Sequence, residues 1–335
     1  MPPSFRVTGG RPLSGTIRPA GNKNAALPIL AATLLADGPC RIDNVPRIRD
    51  VETLLALLQH LGASVQWHGA NTVEIDTSRA EPKPLDPALC KEIRASILLA
   101  GPMLARFLVA LGAAIDGIGS NTLTIEGGRP LKPAPHTVGP DHIEIGSFIG
   151  LAAVTGGAIT IDGVRGDDLR STVLAFERLG VRPRLEGDKL IVDAGQERRI
   201  RPDLGGHVPK LEDGPWPAFP ADLMSIAIVV ATQCEGLLLV FEKLFESRLF
   251  FVDKLIGMGA RIVLCDPHRA VIAGPSALRG QQVESPDIRA GMAMLLAALA
   301  AQGDSVIQNI GQIERGYEHI DDRLRALGAQ IERRT

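Results

Sequence analysis

A chain of 335 residues, 45% hydrophobic and 22% charged with a formal net charge of −2, has the makings of about two globular domains. The even charge argues against a nucleic-acid partner, which usually meets a strongly basic surface, and the apolar content argues against disorder. No membrane partner is expected and the cytoplasm is the default location. The longest nearly apolar stretch, Ala290 to Ala301, is short of the about 20 residues that cross a bilayer, and Met1 to Gly10 lacks the pattern of a signal peptide.

Taken in chain order, the elements repeat. A helix rich in small residues is expected over 25–36, and its counterparts fall over 145–155, 223–234 and 288–301. After each comes a shared strand-like pattern. It reads Ile42-Asp43-Asn44-Val45, Ile161-Asp162-Gly163-Val164, Val240-Phe241-Glu242-Lys243 and Ile307-Gln308-Asn309-Ile310. A second helical pattern follows and closes five times on a bulky residue, a glycine and a small residue. The instances are Leu61-Gly62-Ala63, Leu111-Gly112-Ala113, Leu179-Gly180-Val181, Met258-Gly259-Ala260 and Leu327-Gly328-Ala329. Each glycine suits the left-handed position that ends a helix. A strand comes next, such as Ser64-Val65-Gln66-Trp67 or Arg261-Ile262-Val263-Leu264. Its hairpin partner is Thr72-Val73-Glu74-Ile75 in the first unit and Lys189-Leu190-Ile191-Val192 in the third.

One unit is therefore strand, helix, strand, helix, strand, strand, in an α/β chain of five units. The first interval between tags is the shortest, because in the second unit the helix from Lys91 runs through Ala105-Arg106-Phe107 straight into Leu108-Val109-Ala110-Leu111. The front of one unit is joined there to the back of another. A single helix over 91–111, kinked at Gly101-Pro102, is the expected result.

Cys40, Cys90, Cys234 and Cys265 are scattered, without the spacing of a zinc site or a disulfide framework, and are expected to be buried thiols. Three arginines, Arg248, Arg289 and Arg315, follow the loop patterns of the fourth and fifth units, where the symmetry of the repeat could place them around one cleft. Lys23 and Asn24 stand at an expected helix start, where backbone N–H groups and the helix dipole favour negative charge. Asp222 precedes an apolar helix, where aspartate is a preferred capping residue.

Gly21-Asn22-Lys23-Asn24-Ala25-Ala26-Leu27-Pro28 resembles the opening of the UDP-N-acetylglucosamine 1-carboxyvinyltransferases, a family of enolpyruvyl transferases. Further motifs of that family follow in order. They are Arg94-Ala95-Ser96 with Gly101-Pro102, Pro217-Ala218-Phe219-Pro220-Ala221-Asp222, Phe245-Glu246-Ser247-Arg248, Asp287-Ile288-Arg289-Ala290 and Glu314-Arg315-Gly316-Tyr317-Glu318. The resemblance implies a two-domain inside-out α/β barrel, the enolpyruvate transferase fold, normally of six units where five are found here. Residues 20–138 would form an incomplete N-terminal domain of two units, and 1–19 with 139–335 a C-terminal domain of three.

The activity implied is transfer of the enolpyruvyl group from phosphoenolpyruvate to the 3′-hydroxyl of UDP-N-acetylglucosamine, without a metal or redox cofactor. By motif position, Lys23 and Asn24 would contact phosphoenolpyruvate, and Arg248, Arg289 and Arg315 would bind its carboxylate and phosphate. Arg94 would contact the sugar nucleotide, Asp222 would be the base toward the 3′-hydroxyl, and Leu244 would touch the acceptor; Lys23, Asp222 and Arg315 form the catalytic set. Ala221, Ser247 and His142 stand where the family has threonine, asparagine and arginine. The family's loop bearing a cysteine general acid and the uridine contacts would fall between Phe107 and Leu108, and no counterpart is found. Cys90 aligns with an ordinary apolar position. Two other readings stay open: a paralogue that binds anions without turnover, and a transferase for a smaller acceptor.

Overall fold

The computed structural model describes residues 3–81, 107–118, 122–127, 130–246 and 248–334. The chain divides into two compact units, Ala20–Asp141 and Met1–Pro19 with His142–Thr335.

In the larger unit, three helices pack on one another: His142–Thr155, Met224–Thr232 and Ile288–Ala300. Almost every residue of all three is buried, so none is amphipathic in the usual sense; each is apolar all round because it is surrounded by protein. Small side chains let the three axes converge. A Cβ added at Gly150 of the first helix would lie 2.6 Å from Ile226 of the second and 3.2 Å from Leu296 of the third. Gly150→Ala is therefore expected to destabilise the unit by about 1–3 kcal/mol, the usual cost of overpacking a filled core. A thermal unfolding midpoint equal to that of the unaltered protein would contradict this close packing.

Three four-stranded sheets enclose that helical centre. Their strand orders follow one plan: an edge strand parallel to its neighbour, then two antiparallel pairings. In one sheet Gly15–Ile17 is the parallel edge beside Ile159–Asp162, and Lys189–Val192 and Arg184–Glu186 complete the hairpin. Another runs Lys210–Glu212, Gly236–Phe241, Arg269–Gly274, Arg261–Asp266. The last places Ser4–Thr8 between Asp304–Gln308 and Gln330–Arg334. Helices inside and sheets outside are the arrangement expected of an inside-out α/β barrel.

The smaller unit shows the same plan once among its described residues. Ser64–Trp67, Val73–Asp76, Cys40–Asp43 and His136–Thr137 form a four-stranded sheet with a parallel edge, and helices Lys23–Ala32 and Arg49–His60 pack together. Ala114–Asp116 and Thr124–Glu126 pair as a separate two-stranded sheet.

The glycines of all five closing tags have positive φ, from 75° at Gly180 to 108° at Gly112, as the repeat requires. Asn44, Gly163 and Asn309, equivalent in three units, share a left-handed backbone near 55–75°. The helix expected over 91–111 is seen only as a turn at 107–110; residues 91–106, with Gly101-Pro102, lie outside the described residues. One cysteine differs from expectation. Cys40 and Cys234 are buried, but Cys265 is exposed, because its strand alternates and residue 265 falls on the outer face of the sheet. Cys90 lies outside the described residues.

Candidate active site

Asp222 is the hub of the site in the larger unit. It sits in a single 3-10 turn, Ala221–Leu223, immediately before the second core helix. The cap role is not realised, since no side-chain cap bond is made at either start and the carboxylate turns instead to two arginines. Arg248 Nη1 donates to Oδ1 at 2.8 Å, and Arg289 donates to Oδ2 through Nε and Nη2, both at 2.9 Å. Arg248 also reaches the carbonyl of Ala221 at 3.3 Å and lies 4.4 Å from the centre of the Phe245 ring.

Arg289 is held from several sides. Asp287 caps the third core helix by accepting from the N–H groups of Arg289 and Ala290, which fixes the backbone that carries the guanidinium. That guanidinium lies 5.7 Å from the ring of fully buried Tyr317, whose hydroxyl meets Ser147 of the first core helix at 2.9 Å. The second helix contributes Ser225, which donates to the Arg289 carbonyl. Each core helix thus supplies one fixed point around Asp222 and Arg289.

Burial pushes the Asp222 carboxyl up, but the charges and hydrogen bonds of Arg289 and Arg248 outweigh it and hold the group well below the usual carboxylate range. Asp222 is therefore ionised at neutral pH, and the pair of guanidiniums keeps a net positive charge around it.

Arg315 follows the short helix Gly311–Glu314 and donates to Gln312 at 3.3 Å. Its neighbours touch the same cluster: a side chain at Gly316 would meet Ile288, and Tyr317 lies beside Arg289. Leu244 is 46% exposed, and its N–H points to buried Asp213. In the smaller unit, helix Lys23–Ala32 begins at Lys23, and Asn22 caps it by accepting from Ala25 N at 2.9 Å. Lys23 is buried, with its ammonium 2.6 Å from a buried Asp50 carboxylate, so it is not a solvated surface lysine. Asn24 follows, half-buried. Arg94 lies outside the described residues.

Three of the expected residues, Asp222, Arg248 and Arg289, are thus in direct contact. Sequence reasoning did not single out Asp213, Glu242 or Tyr317, which pack behind them. The alternation Val240-Phe241-Glu242 was the available signal, since it turns Glu242 inward with Val240. Among the described residues no group of three or more His, Cys, Asp or Glu side chains could hold a metal ion, and no helix is long and apolar enough to cross a membrane.

The chain matches the sequence profile of EPSP synthase (3-phosphoshikimate 1-carboxyvinyltransferase) over residues 7–110 and 103–324, two stretches that overlap around Phe107-Leu108. It is 49% identical to the UDP-N-acetylglucosamine 1-carboxyvinyltransferase of Bradyrhizobium diazoefficiens over 423 aligned positions, covering 99% of the chain and 98% of that protein. The enzyme of that name from Treponema denticola is 41% identical, with 98% of each covered. Both aligned lengths exceed the 335 residues of the chain, so both relatives carry residues without a counterpart here. Among solved structures, the enolpyruvyl transferase NikO from Streptomyces tendae superposes with a TM-score of 0.88 at 22% identity, covering 100% of this chain and 99% of that one. EPSP synthase from Acinetobacter baumannii gives 0.73 at 15% identity, with 99% and 100% covered, and both show the same fold.

Proposed function

The chain belongs to the EPSP synthase family, and on that premise we propose that it transfers the enolpyruvyl group of phosphoenolpyruvate to the 3′-hydroxyl of UDP-N-acetylglucosamine. This is a step of peptidoglycan synthesis and takes place in the cytoplasm. The observation that carries the reading is the contact of Asp222 with Arg248 and Arg289 at the family's motif positions.

Phosphoenolpyruvate brings a phosphate and a carboxylate, and arginine forks are suited to both. Arg248, Arg289 and Arg315, with Lys23 and Asn24 at a helix start, are assigned to those anions. In the free protein Asp222 occupies the two arginines itself. When substrate anions take over those guanidiniums, the carboxylate loses the partners that hold its basicity down and becomes a better proton acceptor. The 3′-oxygen then adds to C2 of phosphoenolpyruvate as its proton passes to Asp222, while C3 takes up a proton from water in the absence of the family's acid-bearing loop. Loss of phosphate from C2 and of a proton from C3 restores the double bond. Fixed guanidiniums stabilise the charge throughout. Leu244 is assigned to the acceptor, as is Arg94.

Two observations favour a second reading, an anion-binding relative with little turnover: the profile match breaks in two around Phe107-Leu108, and the relatives' alignments are longer than the chain. The family's acid-bearing loop belongs to that stretch, and loss of a general acid is worth about 10²–10⁴-fold in rate. Phosphate release from phosphoenolpyruvate, measured with UDP-N-acetylglucosamine and with UMP, separates the readings. Release that requires UDP-N-acetylglucosamine is expected. Background release together with calorimetric binding of phosphoenolpyruvate would favour the second reading, and release with UMP would mark a smaller acceptor.

A further inference from the structure

Behind the Asp222 cluster lies a second acidic group that the transfer reaction does not use. Lys210–Glu212 runs parallel to Gly236–Phe241, and the register pairs Leu211 with Val240 and Glu212 with Phe241. The next residues on the two strands, Asp213 and Glu242, are therefore neighbours. Alternation decides where they point: Leu211 and Asp213 are buried on one strand, Val240 and Glu242 on the other. Two carboxyl groups, 1% and 0% exposed, are thus turned inward side by side.

Their hydrogen bonds are unequal. Asp213 accepts from the N–H groups of both Lys243 and Leu244, one on each oxygen. Neither side-chain oxygen of Glu242 accepts a hydrogen bond from a described residue. The charges nearby do not neutralise Glu242 either. Arg248 attracts it, but Asp213 and Asp222 repel it, and Arg248 is already paired with Asp222. Lys243 pairs with Glu212, and Arg269, opposite Phe241, pairs with Asp266. His268 meets the backbone of Glu242, whose N–H donates to the His268 carbonyl and whose carbonyl faces His268 Nδ1.

We propose that Glu242 is a positioning residue: as a neutral acid it shares its proton with the Asp213 carboxylate, and the pair holds the Lys243–Leu244 turn that leads to Arg248. Two adjacent buried carboxylates repel each other, so the pair is stable with one proton and strained with none. Burial and then Asp213 push the Glu242 carboxyl up to about 8, which keeps that proton in place at neutral pH. When it leaves, repulsion moves Asp213 away from the two N–H groups it accepts. The turn carrying Leu244 then loosens, and the approach to Arg248 with it. The positioning half of this inference rests on the anion-binding reading of Arg248; the shared proton does not.

Infrared difference spectra of the full-length protein against Glu242→Gln test the proton directly. A protonated-carboxyl band is expected at neutral pH, disappearing as the pH passes about 8. Its absence at neutral pH would overturn the proposal. Should Glu242→Gln fail to fold, Asp213→Asn serves instead: removing the neighbouring charge is expected to move loss of the band to lower pH, and an unmoved titration would count against the pair. The positioning role is read from phosphoenolpyruvate affinity across pH. With the competent turn populated only while the pair is protonated, affinity should fall about tenfold per pH unit above the transition in the unaltered protein. It should stay level in Glu242→Gln, whose amide still donates to Asp213. Parallel profiles for the two proteins would exclude a positioning role. Absence of binding at every pH would sink the anion-binding reading instead, leaving the infrared titration to judge the shared proton.

Discussion

Asp222→Asn should lower turnover by about 10²–10⁴-fold, the usual worth of a positioned general base, while leaving phosphoenolpyruvate bound at least as tightly as before. The two halves of that expectation come from the same contacts. Asparagine keeps the shape and an acceptor for one arginine but cannot take the proton of the 3′-hydroxyl. It also removes the negative charge that competes with substrate anions for Arg248 and Arg289. Single-turnover kinetics with calorimetry of phosphoenolpyruvate checks both. A variant that turns over normally would remove Asp222 from the catalytic set, and one that loses phosphoenolpyruvate binding would show that the carboxylate orders the arginines.

The acid limb of stability provides a further check on the same residue. The Asp222 carboxyl is depressed in the folded protein, so its contribution is full above its unfolded value of about 3.9 and is lost as pH falls through the lower folded value. At neutral pH, changes in stability with pH must come from other groups.

Arg289→Met carries the largest expected cost to folding. Arg289 is 8% exposed and Asp222 17%, so taking away the cation leaves a largely enclosed anion held by Arg248. Breaking one side of a buried ion pair costs about 3–5 kcal/mol, much of it the burden of the charge left behind. The thermal midpoint should drop accordingly, and phosphoenolpyruvate binding should vanish. Adding Asp222→Asn to Arg289→Met should recover much of the lost stability but none of the binding. Additive losses in the double variant would show that the two side chains act independently.

Much of the scaffold was legible because its signals are local. A tag of bulky residue, glycine and small residue specifies a helix end wherever it occurs, and Gly62, Gly112, Gly180, Gly259 and Gly328 all have positive φ. The core helices were legible for the same reason, since Ala, Gly and aliphatic residues without a polar face imply burial on all sides. The repeat suggested that three arginines gather, but their contact with Asp222 was legible only through motif resemblance. Asp222 meets Arg248 and Arg289 across long stretches of chain, and no spacing rule predicts that an aspartate before a helix will turn from the helix start to two arginines. The Glu242 environment was harder still, because Asp213 precedes it by a whole helix and joins it only through strand register. Cys265 shows the limit of composition: a thiol is usually enclosed, but strand alternation placed this one on the outer face.

The place of the first strand has a consequence for how the protein is made. Ser4–Thr8 lies between Asp304–Gln308 and Gln330–Arg334, and hydrogen-bonds to both. It leaves the ribosome about 300 residues before either neighbour exists, since Asp304–Gln308 is the earlier of the two. The unit Ala20–Asp141 is complete long before that and can form while synthesis continues. Closure of the larger unit joins Ser4–Thr8 to strands far along the chain, a contact of very long loop, and such contacts form slowly. Until then the opening strand is an unpaired edge exposed to other chains. Nascent protein should thus depend on chaperone protection until Asp304–Gln308 and Gln330–Arg334 have been made, whereas the folded molecule, with that strand enclosed on both sides, should not.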